Sequence, residues 1–251
     1  MIIIKSDDEI KKISKASKIV AEILEKIGDF IKPGITTKDL ELFSESLIKQ
    51  HGATPAFKGY RGYPSSLCVS INNEVVHGIP SPKRVVKDGD IVSVDLGVVY
   101  KGFIGDAAKT YAVGKVKQDA VRLLAVTEES LYKGINEAVS GKRVSDISHA
   151  IQSYVESNGY SVVRTFVGHG VGRDLHEEPQ IPNYGAPHKG PRLKRGMVLA
   201  IEPMVNIGGH EVKVLEDGWT AITGDGTLSA HFEHTVLVTE GEPEVLTVLK
   251  N

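Results

Sequence analysis

The residues able to do chemistry in this chain are acids in places where acids are costly. Asp95 lies in the run Gly89-Asp90-Ile91-Val92-Ser93-Val94-Asp95-Leu96, and Glu202 in Gly196-Met197-Val198-Leu199-Ala200-Ile201-Glu202-Pro203, both of which read as buried strands. An ionised carboxylate in such surroundings is strongly destabilised unless a cation, a metal or a dense set of hydrogen bonds compensates it. Each acid is six residues past a glycine, and 202 − 95 and 196 − 89 both give 107. Two matching acids ask for a shared cause.

A second acid accompanies each of them. Asp106 and Glu233 both stand eight residues before a glycine, Gly114 and Gly241. Four carboxylates converging without cations repel one another. A pair of divalent ions roughly 3.5–4 Å apart, held partly by bridging carboxylates, resolves that repulsion and supplies an activated water. One imidazole completes such a set. His169, in Phe166-Val167-Gly168-His169-Gly170-Val171-Gly172, has glycines that let the backbone pass close to a ligand. A lone histidine is by default a hydrogen-bonded core residue, and it is the acids that turn the balance here. His77 and His176 sit in turn-rich contexts and lack metal-pair spacing; beside a metal centre either would orient a substrate amide or stabilise an oxyanion, and otherwise each would stabilise a turn. His51, His149, His188 and His210 receive no role. The chain has no Gly-x-Ser-x-Gly elbow, no Walker loop and no His-Glu-x-x-His, and Cys68 lies in an apolar run that suits a pocket wall better than a nucleophile.

The elements that must hold these groups also come in pairs. Apolar residues at three- and four-residue spacing predict a helix over 7–27 that stops at Gly28, and a second helix from about Thr37 to His51. Residues 118–138 and 145–158 repeat that pair, and Gly34, Asp39 and Gly52 recur 107 positions later as Gly141, Asp146 and Gly159. Ile91 to Tyr100 and Gly105 to Val113 flank a Lys101-Gly102 turn, and Met197 to Ile207 with His231 to Thr239 are their second-half counterparts. The expectation is an α+β fold of one domain, residues 1–251, with pseudo-symmetric halves of approximately 1–116 and 117–251. Asp95 and Glu202 would face each other across the pseudo-twofold axis.

Composition sets the outer bounds. With 251 residues, 41% apolar, 25% charged and a formal net charge of −2, the chain has the means to bury a large core and shows no general nucleic-acid footprint. No apolar stretch has the length of a membrane span, and the single cysteine forbids internal disulfides and suits a reducing cytoplasm.

Taken together, Tyr60-Arg61-Gly62-Tyr63-Pro64, Asn73 to Pro80 around His77, Val94-Asp95-Leu96-Gly97, Gly105-Asp106, Gly168 to Gly172, His176-Glu177-Glu178-Pro179, Ile201-Glu202-Pro203 and Phe232-Glu233-His234-Thr235 resemble the type I methionine aminopeptidases over essentially the whole chain. The resemblance implies the two-halved pita-bread fold. It implies a dinuclear site with Asp95, Asp106, His169, Glu202 and Glu233 as ligands, Asp106 and Glu233 bridging, and Mn, Fe or Co as the ions. The activity implied is metal-dependent hydrolysis of the initiator methionine from nascent proteins and peptides with a small second residue, a step of protein maturation. A metal-bridging hydroxide would attack the scissile carbonyl, His176 would stabilise the oxyanion, Glu202 would shuttle the proton, and His77 would contact the scissile amide. Phe57, Tyr60, Tyr63, Cys68, Leu175 and Trp219 would line the methionine pocket, although for each taken singly ordinary core packing competes with that role.

Two positions depart from the bacterial pattern: Leu175 where Phe is frequent, and His231 where Gln is usual, the latter on the strand face of Glu233. The stretch from Gly209 to Ser229 is too short for the insertion that marks type II enzymes, which leaves the short bacterial form as the best match. A cytoplasmic monomer that meets nascent N-termini and touches the ribosome transiently, with no membrane or specific nucleic-acid partner, is the corresponding expectation. Two other readings stand beside it: an X-Pro aminopeptidase of the same fold, which usually carries a long additional N-terminal domain, and a non-catalytic peptide-binding member, which typically loses metal ligands.

Overall fold

Ser6 opens the first helix, α1 (Asp7–Phe30), with a capping box in which Glu9 N–H donates to the Ser6 hydroxyl and Ser6 N–H donates to the Glu9 carboxylate. The buried face carries Ile13, Ile19, Val20, Ile23, Leu24 and Ile27, as the spacing predicts. The helix does not stop at Gly28 but runs on to Phe30. That glycine serves packing rather than termination, because a Cβ there would come within 3.1 Å of the Tyr111 ring. The computed structural model describes residues 1–249; residues 250 and 251, the end of the expected second half, lie outside the described residues.

Helix α2 (Thr37–Gln50) follows, and α3 (Gln118–Ile135) and α4 (Val144–Ser157) form the second pair, with α3 ending three residues before its expected limit. The duplication is visible in the backbone itself. Gly34 N–H donates to Val86 O and Val86 N–H to Ile35 O; 107 residues on, Gly141 N–H donates to Leu193 O and Leu193 N–H to Lys142 O. The isolated bridge Thr36–Val85 recurs as Arg143–Arg192. Gly34, Gly52 and Gly89 and their counterparts Gly141, Gly159 and Gly196 all have positive φ, from 65° to 96°, a conformation that glycine adopts without a Cβ clash.

Each half has its own apolar core. One gathers α1, α2 and the first-half strands around Ile23, Leu40, Val94 and Leu96; the other gathers α3, α4 and the second-half strands around Leu123, Ile151, Leu199 and Val236. A third cluster, with Phe57, Tyr63, Cys68, Leu175, Val171 and Val198, draws on both halves and forms the floor beneath the cleft described below.

The sheets break the symmetry. In the first half, Ile91–Tyr100 and Phe103–Ala112 are uninterrupted antiparallel strands joined at Lys101-Gly102, and Cys68–Ile71 pairs on the far side so that Cys68 stands opposite Asp95. In the second half neither expected strand is continuous. Val198–Ile201 and Met204–Asn206 are separated at Glu202-Pro203, and Ser229–His231 and His234–Leu237 at Phe232-Glu233. Pro203 has no N–H to give to a ladder, which accounts for the first break. The second lies opposite it, since Met204 pairs with His231 and Ile201 with His234. Asp95 and Asp106 therefore sit inside strands, whereas Glu202 and Glu233 sit at paired strand breaks. No helix among the described residues is long and apolar enough to cross a membrane.

Candidate metal centre

The four acids meet in one cleft of about 330 Å³ between the halves, and every residue singled out in the sequence for the site lines it. Asp106, His169 and Glu233 present ligand atoms that all lie within 4.8 Å of one another. They are almost fully buried, at 3%, 6% and 3% exposure, while Asp95 and Glu202 keep a partial opening to the cleft. Reciprocal bonds between the halves hold the backbone around them. Thr235 donates its hydroxyl to Asp106 O at 2.7 Å and accepts Asp106 N–H at 3.2 Å, and Glu233 N–H donates to Ala108 O at 2.9 Å.

These carboxylates lack the protein partners that would justify their burial. Asp95 Oδ1, Asp106 Oδ1 and Glu233 Oε1 are buried without a hydrogen-bond partner. Burial, reinforced by their neighbours' charge, pushes the Asp95, Glu202 and Glu233 carboxyls well above the usual range, and burial, opposed by a hydrogen bond from Ala107 N–H, takes Asp106 up to about 7. Orphaned acceptors of one sign lining one cleft, with ligand atoms of Asp106 and Glu233 within 4.8 Å of each other and of His169, fit divalent cations.

His169 is prepared for the same purpose. Its Nδ1 is 2.9 Å from Gly170 O, and a carbonyl only accepts, so Nδ1 carries the proton and Nε2 keeps its lone pair. That lone pair faces the acids, with Nε2 3.4 Å from Glu202 Oε1. The flanking glycines are required by close approach: a Cβ at Gly168 would lie 2.4 Å from Ala200 O, and one at Gly170 2.4 Å from Glu178 O. Burial drives the imidazole pKa down to about 3, which keeps the ring neutral.

His176 is held by a different kind of partner. Its Nδ1 is 2.8 Å from the Tyr60 hydroxyl, a group able to donate or accept, and when Tyr60 donates, Nε2 is the N–H. The ring stacks on Tyr60 at 5.1 Å and lies 4.2 Å from the His169 ring. Its loop is braced by Glu177, which pairs with the buried Lys5 and accepts Arg173 N–H at 2.9 Å. His77 adopts φ 62°, a costly backbone state for a non-glycine residue, and its ring meets the edges of Phe166 and Trp219. Burial lowers the His77 pKa to about 4, and partial desolvation together with the Arg61 charge lowers that of the more exposed His176 to about 4, so both rings are neutral at physiological pH.

The apolar wall is equally well anchored. Tyr63 donates its hydroxyl toward Leu67 O and Gly78 O and packs edge-on against Trp219 at 5.1 Å. Phe57, Cys68 and Leu175 are buried, at 7%, 4% and 5% exposure. Burial pushes the Cys68 thiol well up, away from thiolate chemistry. His231 lies on the strand before the break rather than on one face with Glu233, yet its Nε2 is buried, unpartnered and 3.7 Å from Glu202 Oε2.

Residues 11–240 match metallopeptidase family M24. The chain belongs to this family. As an M24 peptidase it is 58% identical over 247 residues to "Methionine aminopeptidase 1" of Bacillus subtilis, covering 98% of this chain and 99% of that protein. A methionine aminopeptidase structure from Thermotoga maritima superposes with a TM-score of 0.98 at 53% identity, covering 99% of this chain and all of that one. The prolidase structure from Pyrococcus horikoshii gives 0.81 at 26% identity, and there the match spans 64% of the longer chain. The architecture is the pita-bread fold, as the sequence implied.

Arg61, Thr165, Phe166 and Val167 also line the cleft, although the sequence reading gave them no role. Phe166 had a signal, since it opens the glycine-rich run around His169 and packs its ring on His77. A larger groove of about 710 Å³ lies beside α4, but there Glu137 is paired with Lys142 and Asp146 with His188, so its acids ask for no metal.

Proposed function

We propose that this chain is a methionine aminopeptidase that removes the initiator methionine from new proteins and peptides whose second residue is small. The observation that carries the reading is the set of orphaned buried acids with the His169 lone pair among them, in a cleft that also holds His176 and an apolar wall.

Two divalent ions, Mn, Fe or Co, would supply a water activated at neutral pH and a Lewis acid for the scissile carbonyl. Asp95, Asp106, His169, Glu202 and Glu233 would hold them, with Asp106 and Glu233 shared. His176 Nε2–H then donates to the carbonyl oxygen as negative charge builds there. Glu202 takes a proton from the attacking water and returns it to the leaving amine. His77 contacts the nitrogen of the scissile amide. The free α-amino group lies on the Asp95 side of the acids, which restricts cleavage to a chain start. Phe57, Tyr60, Tyr63, Cys68, Leu175 and Trp219 enclose the methionine side chain, whose flexible thioether suits such a lining.

The same reading places the enzyme in the cytoplasm as a monomer, acting on nascent N-termini with transient ribosome contact. Chelated protein reconstituted anaerobically with each ion and offered Met-Ala and Ala-Pro peptides tests the function. Release of methionine from the first is expected, and a preference for the second would favour an X-Pro peptidase. Turnover of neither peptide would leave a binding module.

A further inference from the structure

We propose that Arg61 selects acidic residues in the part of the substrate that follows the scissile bond. Arg61 is the only lysine or arginine among the described residues lining the cleft, whose four carboxylates all belong to the cluster that holds the α-amino end. It is exposed, and it makes no ion pair or hydrogen bond among the described residues. Its guanidinium lies over the Tyr60 ring, 5.3 Å from the centroid, and Tyr60 in turn stacks on His176.

The position is fixed by backbone geometry. Arg61 has φ 48° between Gly59 at 87° and Gly62 at 90°, so a residue that pays for a left-handed conformation is held between two that adopt it freely. An exposed cation that rests on an aromatic ring is thus placed at the edge of an otherwise acidic cleft. This inference rests on the peptidase reading above, because the deep acids and His176 fix the scissile bond and the remaining chain must leave past the mouth. An extended peptide advances about 3.3 Å per residue. Arg61 is three ring contacts from His169, through Tyr60 and His176, which keeps it within reach of the first residues after the cut, up to about the fourth.

The test compares two peptides, Met-Ala-Gly-Asp-Asp-Gly and Met-Ala-Gly-Lys-Lys-Gly, at low salt with metal-loaded wild type, Arg61→Gln and Arg61→Glu. The ratio of kcat/KM values, acidic over basic, is the readout, and each protein is its own reference, so a general loss of activity cancels. An exposed charge pair supports a ratio of about three to five in wild type, near one in R61Q and below one in R61E, with the wild-type value falling toward one in high salt. Equal ratios in wild type and R61E overturn the assignment of Arg61 alone. Release of methionine from neither peptide by wild type overturns the assignment together with the function beneath it.

Discussion

His169 and His176 lie with their ring centroids 4.2 Å apart, and their Nδ1 atoms have different partners, the Gly170 carbonyl for one and the Tyr60 hydroxyl for the other. In the proposed mechanism these adjacent neutral imidazoles have different jobs, one offering a lone pair to a cation and the other, with Tyr60 donating to its Nδ1, an N–H to a substrate oxygen. The second-half origin of both rings makes the site asymmetric, although the four acids come two from each half.

Tyr60→Phe keeps the stacked ring and removes the hydroxyl that fixes the His176 tautomer. The net value of one hydrogen bond, about 1 kcal/mol, leads to a fall in kcat of roughly five- to tenfold. KM should move less and metal affinity should not change. Steady-state kinetics and calorimetric metal titration of the variant check this, and an unaltered kcat would remove the tautomer assignment.

Metal-free protein should lose stability as pH rises. Asp106 has its pKa pushed from 3.8 to about 7 by burial, so the folded state holds a proton that the unfolded state releases. The stabilisation is complete below pH 3.8 and disappears as pH climbs through about 7. Thermal melts of chelated protein between pH 5 and 8 should show a declining Tm. With divalent ion present the trend should reverse, because ligands bind deprotonated. A flat profile for the chelated protein would count against a metal-free acid cluster of this kind.

Gly168→Ala should destabilise the protein by about 2 kcal/mol or more, since its new Cβ would meet the Ala200 carbonyl oxygen 2.4 Å away in paired strand backbone. A Tm drop of about 5–10 °C is the expected size, with metal affinity falling as His169 shifts. Gly241→Ala, where nothing lies within 4 Å of the added carbon, serves as the control and should melt within a degree or two of wild type.

The repeat and the identities of the acids were legible because buried charge and glycine spacing are local, one-dimensional signals. What escaped was set by contacts distant in sequence. Gly28 looks like a helix stop until Tyr111, 83 residues later, is seen packed against it. Glu202 and Glu233 read as strand residues because apolar runs surround them, while the breaks that free their side chains depend on Pro203 and on the opposing break. Tyr60 was placed in the pocket for its ring, but its hydroxyl bond to His176 spans 116 residues and has no local trace. Arg61 has no role legible in the sequence, because nothing local says that its cation rests on an aromatic ring without an ion pair.

Chelated wild type and Glu233→Ala should be titrated with a single divalent ion while bound metal and free methionine from a Met-Gly peptide are measured in the same samples. Wild type is expected to bind two equivalents and to release methionine only as metal is added, whereas the variant, lacking one of the proposed ligands, is expected to release none. Methionine release by metal-free wild type, or undiminished release by Glu233→Ala, would contradict the proposed metal centre.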